Sequence, residues 1–166
     1  MNILAELKKV KACFFDVDGV FTDGSVTVFE SGEQVRTFNI KDGLAVVKTI
    51  KAGIPVVIIS AGRSEGVRRR FEYLGVKDCN LAVTDKIALF EEKLKEYNVD
   101  RSEVLYMGDD LPDLKILNQV GLPVCPKDAA DDVIPVAKYI SSKDGGKGAV
   151  REVLEKLLRV QELWEV

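Results

Sequence analysis

The chain has 166 residues, of which 46% are hydrophobic and 31% are charged, and its formal net charge at pH 7 is -3. This composition excludes a disordered chain, and a chain of this length buries roughly 70% of its unfolded surface without needing disulfides or structural metals. The slight acidic excess offers no basic surface for nucleic acid, and the lack of histidine excludes Ser-His-Asp and Cys-His nucleophiles and histidine zinc sites.

The cysteines and the N-terminal segment indicate the compartment. Cys13, Cys79 and Cys125 show no CxxC spacing, so we interpret them as buried apolar side chains in a reducing environment. Residues 1–12 contain no export signal, and no apolar run is long enough to span a bilayer. We therefore expect a cytoplasmic protein without a membrane partner.

In the first half of the chain, short apolar runs alternate with helical patterns. A buried strand is predicted at residues 11–17, and a hairpin with strands 25–29 and 34–38 follows it. The next predicted elements are a helix that Asp42 caps and that ends at Gly53, a strand at 54–60, a helix at 64–74, a strand at 78–83, and a helix at 85–97 that Thr84 caps.

The second half continues the alternation. Its predicted elements are a strand at 104–107, a helix at 111–119, a strand at 121–125, a short helix at 128–136, a strand around Tyr139, a glycine-rich turn at 143–148, and an amphipathic helix with a tail at 161–166. This order predicts an α/β fold, a Rossmann-like parallel sheet with helices on both faces and right-handed crossovers. The hairpin insertion at 25–38 is too small for a separate cap, so we expect one cap-less domain over residues 1–166.

Polar residues follow four of the predicted strands at the point where each strand ends. Asp16 and Asp18 end the first strand, Ser60 ends IPVVIIS, Lys86 follows the weak strand at 78–83, and Asp109 follows VLYM. Open parallel sheets bind ligands beyond the carboxyl ends of their strands, so we expect these side chains to converge on one rim.

These residue types suit phosphoryl transfer with magnesium. Asp16 and Asp109 would repel each other without a cation between them, and hard oxygen ligands prefer Mg²⁺. Asp16 can then attack phosphorus to form an aspartyl phosphate, while Asp18 protonates the leaving alkoxide and later activates water. Ser60 and Lys86 can stabilise charge on the phosphoryl oxygens.

Each of these residues alone has an ordinary structural explanation. An Asp after a strand is usually a turn former or helix cap, and Lys86 or Ser60 alone would be a solvated or strand-end residue. The run DxDGxxTDG, followed in order by Ser60, Lys86 and GDDxxD, is far more specific than its parts. The basic run at 68–70 is interpreted as a solvated helix face, with anion binding as the alternative, and the glycines at 145–148 lack P-loop spacing.

In these motifs the chain resembles the haloacid dehalogenase superfamily of phosphohydrolases. The matching residues are Asp16-Val17-Asp18-Gly19 for the first motif, Ser60 for the second, Lys86 for the third, and Gly108-Asp109-Asp110 with Asp113 for the fourth. The resemblance implies that Mg²⁺ is held by the carboxylates of Asp16 and Asp109 and by the main-chain carbonyl of Asp18.

A narrower resemblance, to the 3-deoxy-D-manno-octulosonate 8-phosphate phosphatase family, rests on FDVDGVFTDG, FNIKDG, MGDDLPDL and GGKGAVREVLEKLL. It implies hydrolysis of that sugar-acid phosphate, in lipopolysaccharide precursor synthesis, by a cap-less homotetramer whose neighbouring subunit helps to close the site. It also implies that the tail at 161–166 covers the site. The substrate contacts that it implies are Asp18, Asn39, Ile40, Lys41, Asp42, Gly43, Arg63, Arg70, Lys86 and Asp113.

Two departures from the family pattern affect substrate recognition. The usual Ser-Gly-Arg is Ser60-Ala61-Gly62-Arg63 here, and Lys41 stands where arginine is common. The nearest alternative is a related phosphatase for a nine-carbon sugar-acid phosphate. The others are a phosphorylation-receiving signalling domain, whose lysine would follow the final strand, and a non-catalytic partner domain like that of sialic acid activating enzymes.

Overall fold

A six-stranded parallel sheet forms the centre of the fold in the computed structural model, which describes residues 2–165. Its strands are β1 (Ala12–Phe15), β4 (Val56–Ile59), β5 (Asp78–Asn80), β6 (Val104–Met107), β7 (Leu122–Cys125) and β8 (Tyr139–Ile140). The spatial order is β5-β4-β1-β6-β7-β8, so β1 lies between β4 and β6. A separate antiparallel pair, β2 (Thr27–Val28) and β3 (Gln34–Val35), confirms the predicted hairpin.

Helices cover both faces of the sheet, which confirms the predicted α/β class. One core receives buried side chains from α1 (Ile3–Lys9), α2 (Ile40–Lys51), α3 (Glu65–Tyr73) and α6 (Ala149–Val160). The other receives them from α4 (Lys86–Tyr97) and α5 (Leu114–Leu117). Short 3-10 turns lie at Arg101–Glu103, Leu111–Asp113 and Ile134–Val136.

Alternate side chains of each central strand enter different cores. Phe15 packs in the first core with Ile58 and Met107, whereas Phe14 packs in the second core with Phe90 of α4. All four residues of β1, β4, β6 and β7 are buried. Burial on both faces explains why these strands read as continuous apolar runs.

Local hydrogen bonds correct two of the predicted helix starts. Asn39 precedes α2, and its side chain accepts a hydrogen bond from the Lys41 N–H at 2.8 Å, so Asp42 is not the cap of this helix. Asp85, rather than Thr84, caps α4. Asn39 precedes the first turn of α2, whereas Asp42 lies within that turn; Asp85 directly precedes α4, whereas Thr84 is one residue farther away.

Other predicted elements are shorter than expected or were missed. The helix α1 was not predicted, although the side chain of Asn2 accepts a hydrogen bond at its first turn. The predicted helix at 111–119 is a 3-10 turn followed by α5, and the one at 128–136 contains only the 3-10 turn Ile134–Val136. Within residues 2–165, no helix combines the length and apolar character that crossing a bilayer requires.

Candidate active site

Three neighbouring strands bring the predicted catalytic residues to one rim of the sheet. Asp16 follows β1, Ser60 follows β4, and Gly108-Asp109 follows β6. Since β4, β1 and β6 are adjacent and parallel, their carboxyl ends lie side by side. The predicted convergence is therefore confirmed for these strand ends.

A buried ion cluster lies at the centre of this rim. The Nζ atom of Lys86, the first residue of α4, lies 3.0 Å from Oδ2 of Asp16 and 2.8 Å from Oδ1 of Asp113. The side chains of Lys86, Asp16 and Asp113 are only 7%, 12% and 0% exposed. Burial opposes the charged form of Lys86, but the two carboxylates outweigh it and raise its pKa above the usual value.

Asp113 holds this cluster together. Its Oδ1 accepts a hydrogen bond from the Tyr106 hydroxyl at 2.7 Å, and its Oδ2 accepts one from the Asp109 N–H at 3.1 Å. A side chain at Gly108 would collide with Asp113, since an added Cβ would lie 2.5 Å from it. Asp113 thus orients Lys86 and the Asp109 loop, and its predicted contact with substrate stays a prediction.

The carboxylates form a site that fits a divalent cation. Oxygen atoms of Asp16, Asp109 and Asp113 all lie within 4.8 Å of one another. Burial, followed by the charge of Asp113, raises the pKa of Asp16 to about 7. Burial, followed by the charge of Asp16, raises the pKa of Asp109 to about 7. Oxygen donors that repel one another in this way suit Mg²⁺, and Asp113 is already engaged by Lys86 and Tyr106.

These pKa values predict that metal-free protein becomes less stable as the pH rises. Between about pH 4 and pH 7 the folded state holds protons on Asp16 and Asp109 that the unfolded state has lost, so the free energy of unfolding falls through this window. We expect a decrease on the order of 5 kcal/mol from pH 5 to pH 8, or roughly 10–20 °C in melting temperature. Mg²⁺ should raise the melting temperature more at pH 8 than at pH 5. Equal stabilisation at both pH values would contradict a site formed by these two carboxylates.

Glycines allow the loop after β1 to approach Asp109. Gly19 has φ +79°, and an added Cβ would lie 1.9 Å from an oxygen of Asp109. The hydroxyl of Thr22 accepts hydrogen bonds from the Gly19 and Gly24 N–H groups, both at 3.2 Å. The sequence analysis gave Thr22 no role, although its place in DGxxTDG was a usable signal.

The glycine-rich turn before α6 packs directly against this loop. An added Cβ at Gly145 would lie 1.9 Å from the carbonyl oxygen of Gly19, and the Gly146 N–H donates to the Val20 carbonyl at 3.0 Å. Only glycine permits two backbone segments to approach so closely. The turn therefore supports the catalytic loop, in agreement with its lack of P-loop spacing.

Ser60 lies beside Asp18 at the end of β4. Its side chain accepts a hydrogen bond from the Gly62 N–H at 3.2 Å, and the residue is 3% exposed. An added Cβ at Gly62 would lie 3.2 Å from Asp18 and 3.4 Å from the Ser60 hydroxyl. Gly62 of Ser60-Ala61-Gly62-Arg63 therefore keeps space open next to both catalytic candidates.

An arginine from the hairpin binds the side chain of Asp18. The Nε atom of Arg36 donates to Oδ1 of Asp18 at 2.6 Å, and Nη2 donates to Oδ2 at 3.3 Å. The Arg36 side chain is 6% exposed, whereas that of Asp18 is 35% exposed. The sequence analysis missed this contact, because nothing local links two residues 18 positions apart in a loop and a hairpin.

The segment from Asn39 to Gly43 is divided between exposed and buried residues. Ile40 is 79% exposed and Lys41 is exposed, so both are free to meet a ligand. Asp42 is 1% exposed, and its Oδ1 accepts a hydrogen bond from the Arg151 N–H of α6 at 2.8 Å. Asp42 thus caps a helix distant in sequence, and burial raises its pKa to about 6. Its predicted contact with the sugar stays a prediction.

A cleft beside Asp18 contains the arginines that the sequence analysis selected for substrate. Its volume is about 650 Å³, and its walls include Arg36 of the hairpin, Phe38, Gly62, Arg63 and Arg70. Gly43 lets Arg70 reach this position, since an added Cβ would lie 2.7 Å from its guanidinium. A cleft with three arginines can bind an anion next to the proposed catalytic residues.

The tail packs against its own chain along α1 and α6. The Gln161 side-chain amide donates to the Leu7 and Val10 carbonyls at 2.9 and 2.8 Å, and the Arg151 guanidinium lies 4.7 Å from the centre of the Trp164 ring. Arg151 is in the first turn of α6, which follows the Gly146 turn, so Trp164 folds back along the helix. The expectation that the tail covers the site stays a prediction. Val166 lies outside the described residues.

The chain is similar to known phosphatases along almost its whole length. The family profile described as haloacid dehalogenase-like hydrolase matches residues 82–154. The 3-deoxy-D-manno-octulosonate 8-phosphate phosphatase of Escherichia coli (strain K12) is 33% identical over 160 residues, which cover 96% of this chain and 85% of the relative.

Solved structures of similar proteins share the fold. The 3-deoxy-D-manno-octulosonate 8-phosphate phosphatase of Yersinia pestis matches with a TM-score of 0.94 and 33% identity, over 96% of this chain and 86% of its own. The enzyme of the same name from Moraxella catarrhalis, in complex with a magnesium ion, a phosphate ion and a KDO molecule, matches with a TM-score of 0.93 and 33% identity. That match covers 96% of this chain and 92% of the other.

Proposed function

Since the chain belongs to the 3-deoxy-D-manno-octulosonate 8-phosphate phosphatase family of haloacid dehalogenase-like hydrolases, we propose that it hydrolyses this sugar-acid phosphate. The products are the free sugar acid and phosphate, and the cofactor is Mg²⁺. The observation that carries the proposal is the buried cluster of Asp16, Lys86 and Asp113 next to a cleft lined by arginines.

In the proposed first step, a carboxylate oxygen of Asp16 attacks phosphorus, and the bond from phosphorus to the sugar oxygen breaks. Asp18 gives a proton to that oxygen as it leaves. Lys86, held at 2.8 Å by Asp113, and Ser60 stabilise the charge on the phosphoryl oxygens. In the second step, Asp18 takes a proton from a water molecule that attacks the aspartyl phosphate, and phosphate is released.

The metal site would use the carboxylates of Asp16 and Asp109 and the main-chain carbonyl of Asp18. When bound, Mg²⁺ shields the negative charge of the nucleophile and polarises a phosphoryl oxygen. The raised pKa values of Asp16 and Asp109 support this assignment, because without the ion the nearby positive charge does not offset burial and the neighbouring carboxylates.

The leaving group has a place in the cleft. The sugar acid carries a carboxylate, and Arg63 and Arg70 line the cleft next to Asp18. Guanidinium groups bind carboxylates with two parallel hydrogen bonds, which gives both affinity and orientation. Asn39, Ile40 and Lys41 lie on the segment that follows the hairpin and are proposed to contact the sugar from that side.

A phosphate-release panel tests the substrate. With Mg²⁺ present, the octulosonate 8-phosphate should give the highest kcat/KM, by at least about tenfold over hexose 6-phosphates, because only the sugar acid offers a carboxylate to the arginines. The panel should include a nine-carbon sugar-acid phosphate, the nearest alternative. A similar rate for simple hexose phosphates would refute the assigned substrate while leaving the phosphatase chemistry in place.

We also propose that residues 1–166 act as one cap-less domain in a cytoplasmic homotetramer. Exposed apolar side chains on and next to the hairpin support a subunit contact there, since such groups usually lie in interfaces when they cluster. These residues are Val26, Val28, Phe29 and Val35, which are 39%, 63%, 51% and 40% exposed. Sedimentation of a monomer at micromolar concentration would contradict the tetramer.

A further inference from the structure

Arg36 is the residue through which the hairpin reaches the proposed catalytic rim. Its neighbours Gln34, Val35 and Thr37 are exposed, yet its own side chain is 6% exposed and forms a two-point ion pair with Asp18. Burying this guanidinium removes its hydration, which costs free energy. An ion pair that only stabilised the surface could form without that burial.

The ion pair with Asp18 does not account for every nitrogen of the buried Arg36 guanidinium. Nη1 of Arg36 is buried and has no hydrogen-bond partner among residues 2–165. Buried donors are almost always paired in folded proteins, so an unpaired one at the edge of a ligand cleft indicates a partner that arrives with the ligand.

The position of Arg36 connects two functional regions. It lines the cleft that contains Arg63 and Arg70, and a Cβ built on Gly62 would lie 3.6 Å from its Nη2 and 3.2 Å from Asp18. A leaving group in the cleft therefore lies next to both Arg36 and Asp18. Without Arg36, the Asp18 side chain would have no partner within the described chain to fix its direction.

We propose that Arg36 is a positioning residue that holds the carboxyl group of Asp18 toward the oxygen of the leaving group. This inference rests on the proposed phosphatase activity and adds Arg36 of the hairpin to its proton-transfer step. Correct placement of a proton carrier matters most when the leaving group is a poor one, such as a sugar alkoxide. It matters little for the first step with an aryl phosphate such as p-nitrophenyl phosphate, whose phenolate leaves without a proton from the enzyme.

The test compares Arg36→Met and Arg36→Lys with both kinds of ester. In a single turnover, which reports the first step, Arg36→Met should slow release of the leaving group about 100-fold for the best sugar phosphate and less than about threefold for p-nitrophenyl phosphate. Arg36→Lys retains the charge with single-point geometry, so it should recover part of the loss. Arg69→Met removes an exposed arginine whose ion pair within residues 2–165 is with Glu65, and it should match wild type with both esters.

A double variant separates positioning from general damage. If Arg36 acts through Asp18, Arg36→Met in an Asp18→Asn background should cause less than about a threefold further loss with the sugar phosphate. Equal losses with the two esters, or a full further loss in the double variant, would overturn the proposal. Melting temperatures show whether Arg36→Met is folded. If it is not, the comparison of the two esters is made with Arg36→Lys. Using whichever sugar phosphate wild type hydrolyses best keeps this result separate from failure of the octulosonate assignment.

Discussion

Asp16→Asn is expected to lower phosphate release by at least roughly 10⁴-fold, because it removes the nucleophile and a carboxylate of the metal site in one change. The fold should remain intact. Burial and Asp113 raise the pKa of Asp16 to about 7, so the folded protein prefers the neutral form of this side chain and tolerates a neutral amide. In metal-free protein at pH 8, we expect the melting temperature of this variant to equal or exceed that of wild type.

Two measurements distinguish loss of the nucleophile from loss of structure. Steady-state phosphate release with the octulosonate 8-phosphate reports activity, and thermal unfolding with and without Mg²⁺ reports the fold and the metal site. Asp131→Asn is a matched control, since Asp131 is an exposed aspartate. Activity within tenfold of wild type would rule out Asp16 as the nucleophile.

Lys86→Met is expected to damage both activity and stability. The substitution leaves Asp113, which is 0% exposed, beside Asp16 without the cation that lies 2.8 and 3.0 Å from the two carboxylates. Removing one partner of a buried ion pair typically lowers the free energy of unfolding by about 3–5 kcal/mol. Turnover should fall by roughly 10³-fold, because the phosphoryl oxygens lose a preorganised positive charge.

The control for this variant is on the same helix. Lys95→Met changes an exposed lysine of α4 and should leave turnover and the free energy of unfolding close to wild type. Urea unfolding without Mg²⁺ measures the stability, and assays well below the melting temperature measure turnover. A stability loss below about 1 kcal/mol would show that the cluster does not depend on Lys86 for its charge balance.

Asp16, Ser60 and Asp109 could be found from the sequence because each follows an apolar strand, and Lys86 because it follows a weaker one. Parallel strands in one sheet place their carboxyl ends together, so Asp16, Ser60, Lys86 and Asp109 converge once the strands are identified. The repulsion between Asp16 and Asp109 then predicted a cation between their carboxylates. These steps use only local periodicity and residue type, which explains why they agree with the structure.

Contacts between distant segments could not be found in this way. Asp42 was predicted to cap its own helix. In the structure it caps α6 instead, by accepting a hydrogen bond from the N–H of Arg151, 109 positions later. The helix α2 was already capped by Asn39, which left the side chain of Asp42 available for a partner elsewhere. Likewise, the glycines before α6 were predicted only to form a turn. The structure shows that glycine is needed there because the backbone packs closely against Gly19.

The sequence by itself thus determined the reaction class, the α/β fold and the proposed roles of Asp16 and Asp18, because strand ends and residue chemistry are local properties. Only the tertiary structure decided how Asp18 is held, since its partner Arg36 comes from a hairpin that folds back over the rim. It also decided that the described tail packs beside α1 and α6. Such contacts depend on how separate elements pack, and no periodicity in the chain encodes that packing.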